Sequence, residues 1–295
     1  MMKLIGKTNI DFIGKRGYFF ALSGAVILAG TISLAVRGVN LGLDFTGGTL
    51  LQVAFEKPVG IAEVREAMSA AGVDAAIQSL GDRSYALRVK GRQENVNEVA
   101  DFIISGLKTQ LKDNGFSEEK RDYVGPVVGR DLAKKAMFAI ILSLFGIIIY
   151  VAFRFSNPIW GAGGVLALAH DLFVTLAALS ITGREIDLVV MAALLTIAGF
   201  SINDTIVIFD RMRENIRKFP KMPLGQLINA SVNETLSRTV LINGVVLVVV
   251  LILFLFGGKV INDFAFAMLI GSVAGTYSTI AIATQMVYQW EAKNR

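Results

Sequence analysis

The chain has 295 residues, 54% of them hydrophobic, a mean hydropathy of +0.58, a formal net charge of +5 and no cysteine. Apolar residues gathered in blocks at that hydropathy exclude an ordinary soluble domain and indicate a polytopic membrane protein. The missing thiols exclude disulfides and thiolate metal sites, and the basic excess, much of it beside apolar blocks, is no nucleic-acid signature.

Six blocks are predicted to cross a bilayer, being long enough at about 1.5 Å per residue. They are residues 18–36, 131–153 (with a polar lead-in before Ala136), 159–181, 188–209, 239–256 and 264–287. The first is long for a signal-peptide core and lacks a clear cleavage pattern, so it counts as a span. The amino end, 1–17, carries Lys3, Lys7, Lys15 and Arg16. A loop at 210–238 carries Arg211, Arg213, Arg217, Lys218, Lys221 and Arg238, and the tail, 288–295, carries Lys293 and Arg295. Even numbers of crossings place all three on one side, which the positive-inside rule makes cytoplasmic. Both termini are therefore expected in the cytoplasm. Arg130, Lys134 and Lys135 fall outside, where a long translocated segment is largely exempt from the rule.

Residues 37–130 form the one sizeable segment between spans. It opens with Leu41-Gly42-Leu43-Asp44-Phe45-Thr46-Gly47-Gly48-Thr49, followed by an alternating run at 51–55 that suits a strand. Helical spacing marks 61–71, short strand-like runs mark 76–80 and 85–89, a second helix fits 94–112 with Val96, Val99, Ile103 and Leu107 on one stripe, and a last strand fits 121–128. That order is βαββαβ, a ferredoxin-like α+β domain, for which a mere spacer between spans is the lesser reading, since fold alone does not give function. Gly47-Gly48 permits a turn or a close backbone approach, and Gly125-Pro126-Val127-Val128-Gly129 reads as a chain reversal at the membrane surface.

The third span holds His170-Asp171 near its middle. Asp171 beside the lone histidine must face protein or a wet cavity, and proton relay and structural hydrogen bonding are both open readings. The fourth span contains Asp204, flanked by Ser201, Asn203 and Thr205, about two turns inside Arg211. A carboxylate at that depth costs roughly 3 kcal/mol on insertion scales, which points to an ion-coupling site over a merely structural aspartate. Arg238 opens the fifth span near the same depth, with Asn243 and Gly244 more than a turn deeper; it either snorkels to the interface or pairs with Asp204, directly or through water. Residues 213–233 read as an amphipathic strip on the membrane surface. Small residues in the third span (Gly161, Gly163, Gly164) and the sixth (Gly271, Ala274, Gly275) are candidate faces for a partner's helices.

The stretches 41–49 (LGLDFTGGT), 124–129 (VGPVVG), His170-Asp171, 203–211 (NDTIVIFDR) and 234–239 (ETLSRT) resemble, in order and spacing, the SecF family of the SecD/SecF protein-export machinery. The resemblance implies a six-helix half of the RND (resistance-nodulation-division) type with a small extracytoplasmic domain between helices one and two. It implies an accessory transport subunit of the bacterial inner membrane, not an enzyme, with no cofactor beyond H⁺ or Na⁺ as coupling ion and no metal. It implies a SecD-like six-helix subunit as partner, together with the SecYEG channel, YajC and YidC nearby, and a translocating preprotein as cargo. Residue by residue, Asp204 and Arg238 match the family's ion-coupling acidic and basic positions, and Asp44, Gly47, Gly48, Gly125 and Pro126 match its signatures.

Three rivals are weighed against this. An RND-type small-molecule or lipid exporter would share the ion pathway but needs a larger outer region. An intramembrane aspartyl protease would use Asp171 and Asp204, yet the paired Tyr-Asp and Gly-x-Gly-Asp motifs are missing, as is any Gly-x-Ser-x-Gly for serine hydrolysis. A passive scaffold leaves Asp204 without a task.

Overall fold

The computed structural model describes residues 8–89, 96–112, 114–155 and 157–294. Lys3, Lys7 and Arg295, named above, lie outside them, as do positions 94 and 95 of the second expected helix and the Val96 side chain. In chain order the elements are α1 (Arg16–Arg37), β1 (Asn40–Leu41), α2 (Leu43–Thr46), β2 (Gly48–Phe55), α3 (Ile61–Ala70), β3 (Ala75–Ser79), β4 (Ser84–Val89), α4 (Val96–Gln110) and β5 (Phe116–Val124). There follow α5 (Pro126–Arg154), α6 (Pro158–Thr182), β6 (Glu185–Ile186), α7 (Leu188–Lys218), α8 (Leu224–Phe256), α9 (Gly258–Ser278), a π turn (Thr279–Ala283) and α10 (Thr284–Asn294). They form two compact units, Leu41–Phe138 and the remainder.

Six stretches among the described residues are helical, long and apolar enough to cross a membrane: α1, α5, α6, α7, α8 and the run Ile261–Lys293. Local chemistry fixes their ends. Asn157 caps α6 by accepting from the Ile159 amide at 3.0 Å, with Pro158 at the first helical position, and Gly183 ends it in the left-handed region at φ 67°. Asp187 caps α7 by accepting from the Val190 amide at 2.7 Å. Within the helical unit α6, α7 and the last span are the most enclosed, whereas α1 and α8 expose most of their apolar surface. A chain with such faces requires lipid or other helices around it.

Several predicted boundaries move. The fourth span does not stop at 209: α7 continues to Lys218, and α8 begins at Leu224, so the loop expected over 210–238 reduces to Phe219–Pro223. Pro220 and Pro223 confine the break, since neither suits a helix interior. Leu224, Leu227 and Ile228 are buried in the bundle core instead of lying on a membrane surface. The charged ends are held by side-chain pairing, Arg211 with Glu214 and Glu234, and Asn215 with Ser231 at 2.9 Å. The last helix runs to Asn294 instead of ending at 287. The candidate partner faces turn inward: Gly163 lies against the Ala283 carbonyl, Gly164 against Ile202 and Thr205, Gly271 against Ile197 and Gly275 against Ser201. Small residues here let the chain's own helices close up.

The amino-terminal segment is pinned on α8 by two asparagines. Asn229 Oδ1 accepts from the Phe12 and Ile13 amides, each at 3.0 Å, and Asn233 exchanges hydrogen bonds with both backbone groups of Ile10.

In the α+β unit the sheet order is β3-β4-β2-β5, and the pairs β3/β4, β4/β2 and β2/β5 are antiparallel. With helices after the first and third strands this is the ferredoxin-like βαββαβ arrangement. Alternation along β2 sends Leu51, Val53 and Phe55 to the face covered by α3 and α4, where Val64, Met68, Val99, Ile103 and Leu107 complete one core. The last strand lies at 116–124 instead of 121–128, because Pro126 starts α5. The expected chain reversal at 125–129 is therefore the first turn of that helix. Gly47 and Gly48 have φ of 66° and 128°, where a side chain is strained. A Cβ on Gly47 would lie 2.8 Å from Pro126 Cα, and one on Gly129 3.1 Å from the Gly47 nitrogen. The two glycine motifs of the sequence are thus one backbone-to-backbone contact.

Candidate intramembrane polar site

The polar cluster of α7 divides by helix geometry, since neighbours along a helix point about 100° apart. Ser201, Asp204 and Thr205 are buried, whereas Asn203 is exposed and stands apart from them. Asp204, 3% exposed, accepts a hydrogen bond from Asn243 Nδ2 of α8 at 2.7 Å. The same amide nitrogen donates to Thr276 Oγ1 of α9. Asn243 Oδ1 is buried and has no hydrogen-bond partner among the described residues. Three helices therefore meet at one amide whose acceptor is unused.

Arg238 does not pair directly with Asp204. It is exposed, and no cation of the described residues lies within ion-pair distance of that carboxylate. Five residues along α8 separate Arg238 from Asn243, which is about 7.5 Å of axial rise.

His170 and Asp171 meet α7 at Ser201, one turn from Asp204, and α9 at Ser278, two residues from Thr276. Asp171 is fully enclosed, 0% exposed. Its Oδ2 accepts from Ser201 Oγ of α7 at 2.5 Å and from Ser278 Oγ of α9 at 2.7 Å. Its Oδ1 lies 3.1 Å from His170 Nδ1, and His170 Nε2 is buried without a hydrogen-bond partner among the described residues. Thr205 and Thr279 hydroxyls meet at 3.2 Å beside this set. Gly275 makes the approach of α9 feasible: a Cβ there would come within 3.2 Å of Ser201 Cβ. The π turn starts at Thr279, directly after Ser278, and such turns recur at functional places in helices.

Of the residues singled out from sequence, the tertiary structure brings together Asp171, His170, Ser201, Asp204 and Thr205. Asp44, Gly47, Gly48, Gly125 and Pro126 belong to the α+β unit. Asn243, Thr276, Ser278 and Thr279 were missed as site members. Asn243 is an amide inside an apolar run, and Thr276-Tyr277-Ser278-Thr279 is a hydroxyl-rich stretch inside another; either was a usable signal. Among the described residues no group of three or more His, Asp or Glu side chains could hold a metal ion.

Residues 106–293 match the family model described as the C-terminal region of the protein export membrane protein SecD/SecF, and residues 32–59 match the SecD/SecF GG motif. The chain belongs to the SecF family. It is 42% identical over 286 residues to the protein translocase subunit SecF of Calditerrivibrio nitroreducens, covering 95% of this chain and 94% of that one. It is 43% identical to the SecF of Vibrio alginolyticus, covering 96% and 90%, and 37% identical to that of Escherichia coli O157:H7, covering 95% and 88%. The crystal structure of SecDF from Thermus thermophilus superposes on all of this chain with a TM-score of 0.88 at 32% identity, and the chain spans 40% of that longer protein. A SecDF crystal structure in a super-membrane-facing form gives a TM-score of 0.72. The Gly47–Gly129 contact belongs to this SecF frame, since Gly47 and Gly48 lie in the GG-motif match and Gly129 in the C-terminal one.

Proposed function

We propose that this SecF-type subunit uses the proton or sodium motive force, with a SecD-like six-helix partner, to promote translocation and release of preproteins delivered by SecYEG across the cytoplasmic membrane. YajC and YidC are further partners on this reading. Both termini lie in the cytoplasm and the α+β unit on the far side. Asp204 is the ion-carrying carboxylate, Asn243 senses its state, and Arg238 tunes it through space. The relatives' names favour protein export over an RND-type small-molecule exporter.

One observation carries the assignment: Asn243 donates to Asp204, and its Oδ1 has no partner among the described residues. An ionised Asp204 takes the amide N–H. A protonated Asp204 has an O–H to give, and a turned amide offers its oxygen. The contact thus has two arrangements, and Thr276 passes the difference to α9. A unit charge crossing the full membrane potential yields about 2.3 kcal/mol per 100 mV, enough to bias such a choice but not to unfold cargo alone.

The test is preprotein uptake into inverted membrane vesicles with and without an imposed proton or sodium gradient. Asp204→Asn keeps the shape and loses the titratable group, so the gradient-dependent stimulation should vanish at normal subunit abundance. Full stimulation in that variant would make Asp204 structural.

A further inference from the structure

Asp171 has no task in that reading, yet it is the more enclosed of the two carboxylates. Among the described residues its one ion-pair neighbour is His170, and no lysine or arginine compensates it. An ionised carboxylate so placed is costly unless its charge is met.

The surroundings suit both charge states. Ser201 and Ser278 hydroxyls both donate to Oδ2, and a hydroxyl can also accept, so a proton on this carboxyl leaves no heavy atom misplaced. With the Nδ1 hydrogen given to Oδ1, His170 Nε2 retains a buried lone pair that none of the described residues uses. A purely structural aspartate would not need an unsatisfied imidazole beside it.

We propose that His170–Asp171 is a second proton-binding station in series with Asp204; this rests on Asp204 being an ion carrier. One proton adds to His170 Nε2 while the Nδ1 proton passes to Asp171 Oδ1. The imidazole ends neutral in its other tautomer, the carboxyl ends neutral, and the net uptake is one proton. Return of that proton restores the carboxylate.

The two stations share their supports. Ser201 and Asp204 are one turn apart on α7, and Thr276 and Ser278 two residues apart on α9. One stretch of α9 therefore contacts Asp204 through Asn243 and Asp171 directly. The ionisable groups facing the Asp171 station are His170 on its own helix, Asp204 along α7, and Tyr277 of α9, whose ring lies 6.0 Å from that of His170. α1 meets this set through Ser23, hydrogen-bonded to Tyr277, and its own cations Arg16 and Arg37 stand at its ends.

The test is pH-difference infrared spectroscopy on the full chain in lipid nanodiscs, reading the carbonyl stretch of protonated carboxylic acids. Asp171→Asn should lose one component of that band and Asp204→Asn a different one. His170→Asn should keep the Asp171 component but displace the pH at which it grows in. A spectrum of Asp171→Asn that superimposes on the unsubstituted chain overturns the proposal. If Asp204→Asn superimposes while Asp171→Asn loses a component, the Asp204 reading fails and the series arrangement is overturned with it, leaving Asp171 as the one proton-binding carboxyl of the two. Should Asp171→Asn not fold, His170→Asn decides: a band growing in at the unchanged pH overturns the station.

Discussion

Gly271 of α9 lies directly under Ile197 of α7: a Cβ on the glycine would come within 2.3 Å of Ile197 Cδ1 and 2.8 Å of its Cγ2. Ile197 is 1% exposed, so it has nowhere to retreat. Gly271→Ala should lower stability by about 1–3 kcal/mol, the ordinary cost of overpacking. Ile197→Ala in the same chain should restore part of it, because the two residues share one volume. Melting of the purified chain in lipid, run as a double-mutant cycle, checks this; strictly additive effects would show that the contact is loose.

Asn243→Leu keeps the approximate volume and removes the amide. Asp204 then loses its donor, a hydrogen bond to a charged group worth about 1.5–3 kcal/mol. The expected outcome is loss of most gradient-stimulated preprotein uptake with normal assembly, measured beside Asp204→Asn in the same vesicles. Equal stimulation with and without the amide would remove Asn243 from the mechanism.

In the α+β unit Ile103 is 0% exposed between α4 and the sheet. Ile103→Asp buries a charge with no partner, which costs more than the roughly 1.5–3 kcal/mol that burying an isoleucine gains. Rapid cleavage of residues 41–138 by protease, with the helical unit left intact, is the expected result. Unchanged protection would contradict the packing.

At the amino end the Asp11 carboxyl is held below its ordinary range by the Gly14 amide at 2.8 Å and then by the Asn229 side chain at 2.6 Å. A lowered value means that the ionised form favours the folded segment. The contribution is therefore present above the ordinary carboxylate value, near pH 4, and is lost as pH falls through the lowered one. Protection of the Gly14 amide from hydrogen exchange, corrected for intrinsic rates, should be constant near neutrality and fall only below about pH 4. Asp11→Ala should show no such fall.

One-dimensional spacing encodes the spans and the order of strands and helices. Apolar blocks of sufficient length gave six spans, and periods of two and 3.6 gave the βαββαβ order, because burial selects those periods directly. Asp171 and Asp204 were legible because a carboxylate in an apolar run is expensive wherever the run folds. Span ends were less so: α7 and α8 extend past their apolar stretches because Arg211, Glu214 and Glu234 pair across the helix ends, a compensation invisible in hydropathy. The partners follow from how the helices pack. The tertiary structure paired Asp204 with Asn243 instead of Arg238, turned Asn203 outward, and set Ser201 and Ser278, 77 positions apart, on one oxygen of Asp171. It also joined Gly47 to Gly129 as a single contact. Hydrogen bonds and backbone approaches of this kind depend on the rotation and depth of packed helices, which no local pattern fixes.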